Sequence, residues 1–367
     1  MKNIGENTGL GLLEKLCGII APTGCETNVS DYIEELLRET GGVTLTRDSV
    51  GNLYALKKGS GKSGLKIMVS AHMDEVGFYI SGIDGDGLLS FSACGGITDS
   101  VLAGKAVIIS DGNGGTISGV ISAKPVHLLS AKERESYTPA PDLRIDIGAS
   151  SGEDAEKYVK IGAAGSFDSD FTFFGDGTMI CGRAIDDRIG CAIMCDIIND
   201  MKDRETDFDI CFAFTTREEI GFSGALHAAE FIRPDLAIVL ESTAVSDLAG
   251  VPASSKVAIA GNGPTVSFMD RGTIYRDEIF RFVLDTAEKL GIRMQPKRFV
   301  SGGNDAKYIH QTNGGTAALN ISVPTRYLHS ASCVIAKEDF HSAEKLVSAL
   351  LDSDPKVISD LITEVRK

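Results

Sequence analysis

The chain has 367 residues, 43% of them hydrophobic and 24% charged, with a formal net charge of −15 and a sequence pI near 4.9. That length exceeds one small core and implies two domains, or one large domain carrying an insertion. The acidic balance excludes a nucleic-acid partner, because phosphate backbones are bound by clustered Lys and Arg, and it favours solubility without naming a substrate.

At the N-terminus, MKNIGENTGLGLLEKLCGII spaces its apolar positions as an amphipathic helix interrupted by Glu14 and Lys15, and so lacks the apolar run of a signal peptide. ETNVSDYIEELLRET reads as a second helix capped near Asn28 or Ser30. VTLTRDSVGNLYALKK reads as a strand pair turning around Asp48 to Asn52. GLKIMVSAHMD is a mostly apolar strand suited to burial on both faces. From about Val76 to Phe174 the pattern becomes short alternating strands with glycine-rich turns such as GNGG, the mark of an inserted β-rich module.

After Gly182 an α/β rhythm returns. The helices RIGCAIMCDIINDM, GALHAAEFI and DEIFRFVLDTAEKLG, the last closed by Gly291, alternate with the strands FDICFAFTTREE, DLAIVLEST and GTAALNISVPTRYLHS. Such alternation implies an α/β fold with a mainly parallel mixed sheet covered by helices. No segment reaches about 18 uncharged apolar residues, so no membrane span is expected. The eight cysteines are scattered without a CxxC pair, as reduced thiols of a cytoplasmic protein would be. Cys191 and Cys195 share a helix face as packing rather than as a metal clip.

Four of the apolar strands end in residues able to ligate metals or move protons: His72 and Asp74, Glu218 and Glu219, Glu241, and His329. In open α/β sheets, ligands bind beyond the carboxyl ends of the strands, so these residues are expected to converge. His72 and Asp74 are two apart and face the same side. Asp186 and Asp187, in GRAIDDRIGCA, fall on a turn ahead of a helix, where one carboxylate could bridge two cations. Two histidines and three carboxylates would make two adjacent N/O sites suited to zinc, cobalt or manganese better than calcium. Asp74 would bond the non-ligating nitrogen of His72. In an extended backbone Glu218 and Glu219 point opposite ways, one ligating while the other takes a proton from water and passes it to a leaving amine.

Plainer readings apply elsewhere. A lone histidine is more often a hydrogen-bonded structural group than a ligand; only the grouping of His72 and His329 with acids at strand ends lifts them above that. Asp187 reads as a cap or a partner of Arg188. His127, His227, His310 and His341 have surface or structural roles, Asp247 and Asp305 form turns or support the site, and Arg271 and Arg326 are solvated or salt-bridged unless they bind a substrate carboxylate.

The motifs AHMDEVGF, GRAIDDRIG, TTREEIGFSGA, LESTAVSDLAG, SGGNDA and PTRYLHS occur in this order. Together they resemble the M42 family of dinuclear metalloaminopeptidases, the glutamyl aminopeptidase and tetrahedral aminopeptidase group, from about Leu12 to near the C-terminus. The resemblance implies His72, Asp186 and Glu241 around one metal, Asp186, Glu219 and His329 around the other, Asp186 as the bridge and Glu218 as the general base, supported by Asp74. It implies two divalent ions per subunit, Zn2+ or Co2+ with Mn2+ as a further candidate, and short peptide substrates. It also implies a zinc-peptidase-like catalytic domain over residues 1–75 and 175–367, interrupted at 76–174 by a PDZ-like dimerisation domain. Members form homo-oligomers, either dimers or tetrahedral dodecamers. Glu241 departs from the family's commoner aspartate, Asn304 from its commoner threonine, and HSASCV from a familiar acidic residue.

Three alternatives stand beside this expectation. The same core could serve a deacylase or carboxypeptidase. A catalytically inactive metal-binding scaffold would have no use for a base at Glu218. A glycosidase would need a carboxylate pair straddling a sugar without metal dependence.

Overall fold

The computed structural model describes residues 8–131 and 133–363, so the first seven residues of the expected N-terminal helix lie outside the described residues. Helix α1 (Gly9–Gly18) buries Leu12, Leu13 and Leu16, and α2 (Thr27–Thr40) buries Val29, Ile33 and Leu37. The cap of α2 is Glu26, not Asn28 or Ser30, and its carboxylate is spent elsewhere: it accepts the N–H groups of Gly24 and Arg217. Strands β1 (Thr44–Arg47) and β2 (Leu53–Lys57) pair antiparallel, and Asp48 Oδ1 shapes their turn by accepting the amides of Val50, Gly51 and Asn52. Strand β3 (Lys66–His72) follows.

The chain then leaves the sheet. Strands β4 (Gly77–Ile83), β5 (Leu89–Cys94), β6 (Ala106–Ser110), β7 (Thr116–Ile121), β8 (Ile145–Asp146) and, after the short helix α3 (Gly152–Ala155), β9 (Ala164–Phe167) close a barrel in the order β4-β5-β8-β7-β6-β9. Its own core includes Phe78, Ile80, Leu89, Phe91, Val107, Ile109 and Phe167. Closure leaves no strand edge unpaired, which an exposed six-strand sheet would not achieve.

Strands β10 (Thr172–Phe174) and β11 (Met179–Gly182) lead into α4 (Ile185–Met201), β12 (Asp209–Thr215), α5 (Ser223–Ile232), β13 (Leu236–Ala244) and β14 (Thr265–Val266). Next come α6 (Asp277–Leu290), β15 (Gln295–Pro296), α7 (Ala306–Ile309), β16 (Ala317–Thr325), β17 (Cys333–Ala336), α8 (Lys337–Leu351) and α9 (Pro355–Thr363). The main sheet has the order β1-β2-β12-β3-β13-β16-β14-β15, and β10-β11-β17 form a small second sheet. At the centre β12, β3, β13 and β16 are parallel, while β2 and β14 join antiparallel, so the sheet is mixed as expected.

Period-two alternation decides what each face packs against. Ile67, Val69, Leu236, Ile238 and Leu240 meet the large residues of α1, α2, α4, α6 and α8, among them Leu12, Ile33, Ile189, Val283 and Phe340. Met68, Ala237 and Val239 meet the other layer, where Ala225, Ala228 and Ala229 let α5 sit close to the strands. Two buried faces explain why these strands read as continuous apolar runs.

Glu75, just past β3, is buried where the barrel joins the sheet. Its carboxylate accepts from Ala21 N, from Ser166 Oγ on β9, and from Arg183 Nη1 at 2.6 Å, with Arg188 Nη2 at 3.7 Å. Burial pushes its pKa up, but Arg183 and Arg188 outweigh that and hold it below the usual range. One carboxylate thus binds the α1–α2 loop, the barrel and the approach to α4. Glu75→Ala would leave two buried guanidinium groups without it, and the expected cost is about 3–5 kcal/mol in urea unfolding; a loss under about 1 kcal/mol would contradict this role.

Candidate metal centre

The expected residues meet beyond the carboxyl ends of the parallel strands. His72 ends β3, Glu218 and Glu219 lie in the loop after β12, Glu241 lies within β13, and His329 follows β16. Asp186 and Asp187 open α4 with non-helical backbone angles, joined by a cis peptide bond. His72 Nε2 stands 3.5 Å from Asp186 Oδ1 and 3.8 Å from Glu241 Oε2. His329 Nε2 stands 3.2 Å from Asp186 Oδ2 and 3.2 Å from Glu219 Oε1. The two oxygens of Asp186 therefore face different histidines. Asp186, Glu218, Glu219, Glu241 and His329 all line one cleft of about 310 Å³.

Each histidine is oriented through its other nitrogen. His72 Nδ1 is 3.1 Å from the Asp74 carbonyl oxygen and 3.4 Å from Asp74 Oδ1. His329 Nδ1 is 3.2 Å from the carbonyl oxygen of Gly96, in the chain leaving barrel strand β5, and a side chain at Gly96 would press against that ring at 3.0 Å. Asp74 also accepts from Thr23 Oγ1 at 2.7 Å and from the backbone N–H groups of Glu218 and Glu219. Burial opposes its ionisation, but His72, Thr23 and the Glu218 amide hold its pKa low, so it stays a carboxylate.

The backbone at Glu218 and Glu219 is not extended. It forms a turn in which Gly221 N donates to Glu218 O and Phe222 N to Arg217 O, so both acids face the same cleft rather than opposite sides. A turn replaces the strand because Arg217 takes a left-handed backbone, with φ 60°.

The electrostatics are those of a site short of positive charge. Asp186 Oδ1, Asp187 Oδ2, Glu219 Oε1 and Glu241 Oε1 are buried without a hydrogen bond. Buried polar atoms normally find partners, and four orphaned carboxylate oxygens around two imidazoles fit divalent cations. Ligand atoms of His72, Asp186 and Glu219 lie within 4.8 Å of one another, as do those of His72, Asp187 and Glu241. Burial, reinforced by neighbouring acids, pushes Glu218 and Glu241 well above the usual carboxylate range, and burial raises Glu219 against the pull of His329. Burial also raises Asp186, yet His329 and His72 pull it below its ordinary value. Burial opposes charge on both histidines, but Asp186 with Asp74 and Glu241 lifts His72 well above 6.5, and Asp186 with Glu219 lifts His329 to about 11.

Neighbouring residues sort less simply. Asp187 does cap, its Oδ1 accepting Gly190 N, but Arg188 turns away to the carbonyl oxygens of Met73, Leu16 and Ile19, and Asp187 Oδ2 joins the cluster. Asp305 is pushed by burial to about 7; Thr215 Oγ1 donates to its Oδ2, and its Oδ1 is orphaned. Arg326 pairs with Asp247. His227 bonds to Ser223 O within α5, His310 reaches back to Ala306 O from the end of α7, and His341 stands 3.6 Å from Glu344 within α8. Sequence reasoning missed Thr23, Glu26, Glu75, Gly96 and Lys297. Only Glu75 carried a signal: next to Asp74, period-two geometry points it the other way.

Residues 51–346 match the sequence family described as M42 glutamyl aminopeptidase. The glutamyl aminopeptidase of Lactococcus lactis subsp. cremoris is 29% identical over 93% of this chain and 95% of its own. The lysyl aminopeptidase of Pyrococcus furiosus is also 29% identical, over 96% of each chain. Among solved structures, the TET aminopeptidase of a marine sediment Thaumarchaeota archaeon superimposes with a TM-score of 0.91 at 31% identity, covering 96% of this chain and 98% of that one. The Pyrococcus horikoshii TET1 peptidase, which can assemble into a tetrahedron or a large octahedral shell, gives 0.82 at 33% identity, covering 93% and 98%.

Without cations, Glu218, Glu241, Asp187 and both histidines have folded pKa values above their ordinary ones. Each then contributes stability that is complete below its unfolded pKa and lost as the pH rises through the folded one. With a chelator present, the melting temperature is expected to fall as the pH rises from about 6.5 to 9. Scanning fluorimetry across that range checks it, and a rising melting temperature would mean that the folded centre does not hold the extra protons.

Proposed function

The chain belongs to the M42 glutamyl aminopeptidase family, and from that premise we propose that it is a two-metal aminopeptidase removing N-terminal residues, acidic ones by preference, from short peptides. The observation that carries this reading is Asp186, whose Oδ1 faces His72 and whose Oδ2 faces His329. On this reading His72, Asp186 and Glu241 would hold one ion, and Asp186, Glu219 and His329 the other. Two divalent ions, zinc or cobalt with manganese as a further candidate, would supply Lewis acidity toward the attacking water and the scissile carbonyl.

The remaining chemistry belongs to the side chains. Glu218 is the general base: it lines the cleft beside His329, and with cations offsetting the burial that raises its pKa it would take a proton from water and return it to the leaving amine. Asp74 holds His72 in one orientation and so keeps its Nε2 on the cleft side. For the substrate side chain, Lys297 is the one lysine or arginine among the described residues lining the cleft. It is buried, and its Nζ donates to Ser301 O at 2.9 Å. An ammonium has three donors, and the other two suit a carboxylate. Relatives named glutamyl and lysyl are each 29% identical to this chain, so the preference for acidic residues is supported by Lys297 rather than by the family.

The barrel is the PDZ-like dimerisation domain on this reading. Between β7 and β8 it exposes Val126, Leu128 and Tyr137, apolar surface of the kind that homo-oligomers cover. The TET1 relative's shells support a homo-oligomer, whether dimer or tetrahedral dodecamer. Among the described residues no helix is long and apolar enough to cross a membrane. The eight free cysteines favour a cytoplasmic setting.

Chelator-stripped protein given zinc, cobalt or manganese should release p-nitroaniline from aminoacyl p-nitroanilides, fastest from Glu and Asp. Glu218→Gln should lower kcat by about 10²–10⁴-fold while elemental analysis still finds two ions per chain. Ion binding without cleavage of any aminoacyl substrate would reject the aminopeptidase and leave the deacylase or the inactive scaffold.

A further inference from the structure

The turn that carries Glu218 and Glu219 is secured from outside itself. Four successive backbone N–H groups donate to side-chain oxygens: Thr216 to Asn52 Oδ1 at 3.0 Å, Arg217 to Glu26 Oε1 at 3.1 Å, Glu218 to Asp74 Oδ1 at 3.1 Å and Glu219 to Asp74 Oδ2 at 3.2 Å. The acceptors arrive from the head of β2, the head of α2 and the exit of β3, and all three side chains are buried. Successive backbone N–H groups turned toward one side form a concavity that favours anions. Here the chain fills it with its own side chains, the carboxylates of Glu26 and Asp74 and the amide oxygen of Asn52.

Every acceptor is itself fixed. Asn52 Nδ2 donates to Asp48 Oδ2 and to Gly224 O, Asp74 Oδ2 accepts from Thr23 Oγ1, and Glu26 Oε1 also accepts from Gly24 N. From the far side, Gly224 N donates to Thr216 O, and a Cβ at Gly224 would lie 2.1 Å from that oxygen, so only glycine lets α5 close on the turn. The loop from Ala21 to Glu26 therefore backs the reaction centre, although Glu26 is not among the residues lining the cleft.

A general base must stand within a few tenths of an ångström of its working place, and a misplacement of about 1 Å can cost 10²-fold. A turn between a strand and a helix has no ladder to hold it so closely. We propose that Glu26 is a positioning residue of the reaction: by holding the Arg217 N–H from the head of α2, alongside Asp74 and Asn52, it sets where Glu218 stands. This rests on Glu218 being the base.

The test compares Glu26→Ala, Glu26→Gln and Glu26→Asp with the unaltered protein, reading kcat and KM on the best aminoacyl p-nitroanilide, ion content, and amide hydrogen exchange. Glu26→Ala is expected to lower kcat by about 10–100-fold with KM within about threefold. Exchange should quicken at 216–219 and stay unchanged in the barrel, and two ions should remain. Glu26→Gln keeps an acceptor oxygen and should recover most of kcat; Glu26→Asp keeps the charge but shortens the arm and should not, which decides the matter even if the alanine variant fails to fold. The proposal is overturned if removal leaves kcat within threefold, or if Gln fails to rescue and exchange quickens throughout the chain, the sign of a merely structural role. Should the unaltered protein cleave no aminoacyl substrate, the assignment of activity falls, while exchange at 216–219 still reports on the clamp.

Discussion

Several buried carboxylates stand too close together to be charged at once without a counter-charge. Asp186, Glu219 and Glu241 present orphaned oxygens to two imidazoles, and burial with mutual repulsion drives Glu218 and Glu241 toward their neutral forms. Such a cluster stands only because the rest of the fold holds it there, and cations would remove the conflict that burial creates. That an arrangement so unfavourable in their absence is built beyond the ends of strands buried on both faces is the physical case for a metal centre.

The parallel sheet supplies the rigidity this requires. Because β12, β3, β13 and β16 are neighbours with both faces buried, their carboxyl ends form one platform, and residues far apart in sequence reach it. The inserted barrel also takes part. Its chain leaves from β3 beside His72 and Asp74, and it returns a carbonyl oxygen from Gly96 to orient His329. Glu75 locks that junction with two arginines, so the residue after Asp74 serves the architecture while Asp74 serves the centre.

Asp74 links both levels. A single carboxylate orients His72, receives Thr23 and holds the amides of the two glutamates, so His72, Glu218, Glu219 and the supporting loop share one reference point. Glu26 extends the same device by one residue. Both carboxylates are buried, so neither competes with solvent for the amides it holds.

The sequence by itself determined the elements and the cast. Apolar period announced the buried strands, and ligand-type residues at their ends singled out His72, Asp74, Glu218, Glu219, Glu241 and His329, with Asp186 and Asp187 on a turn before a helix, because side-chain alternation and the strand-end rule are local and general; which of these would hold metal was implied by the family resemblance alone. Spacing could not show that Glu218 and Glu219 share a cleft, since that depends on a left-handed Arg217 and on acceptors contributed by Asn52, Glu26 and Asp74. Nor could it show that Asp187 and Asp305 lie at the cluster, or that Lys297 reaches the cleft from beyond β15. Those facts belong to tertiary structure, because hydrogen bonds and Coulomb forces act between residues that the chain brings within a few ångströms only after the sheet, its helices and the barrel have closed around them.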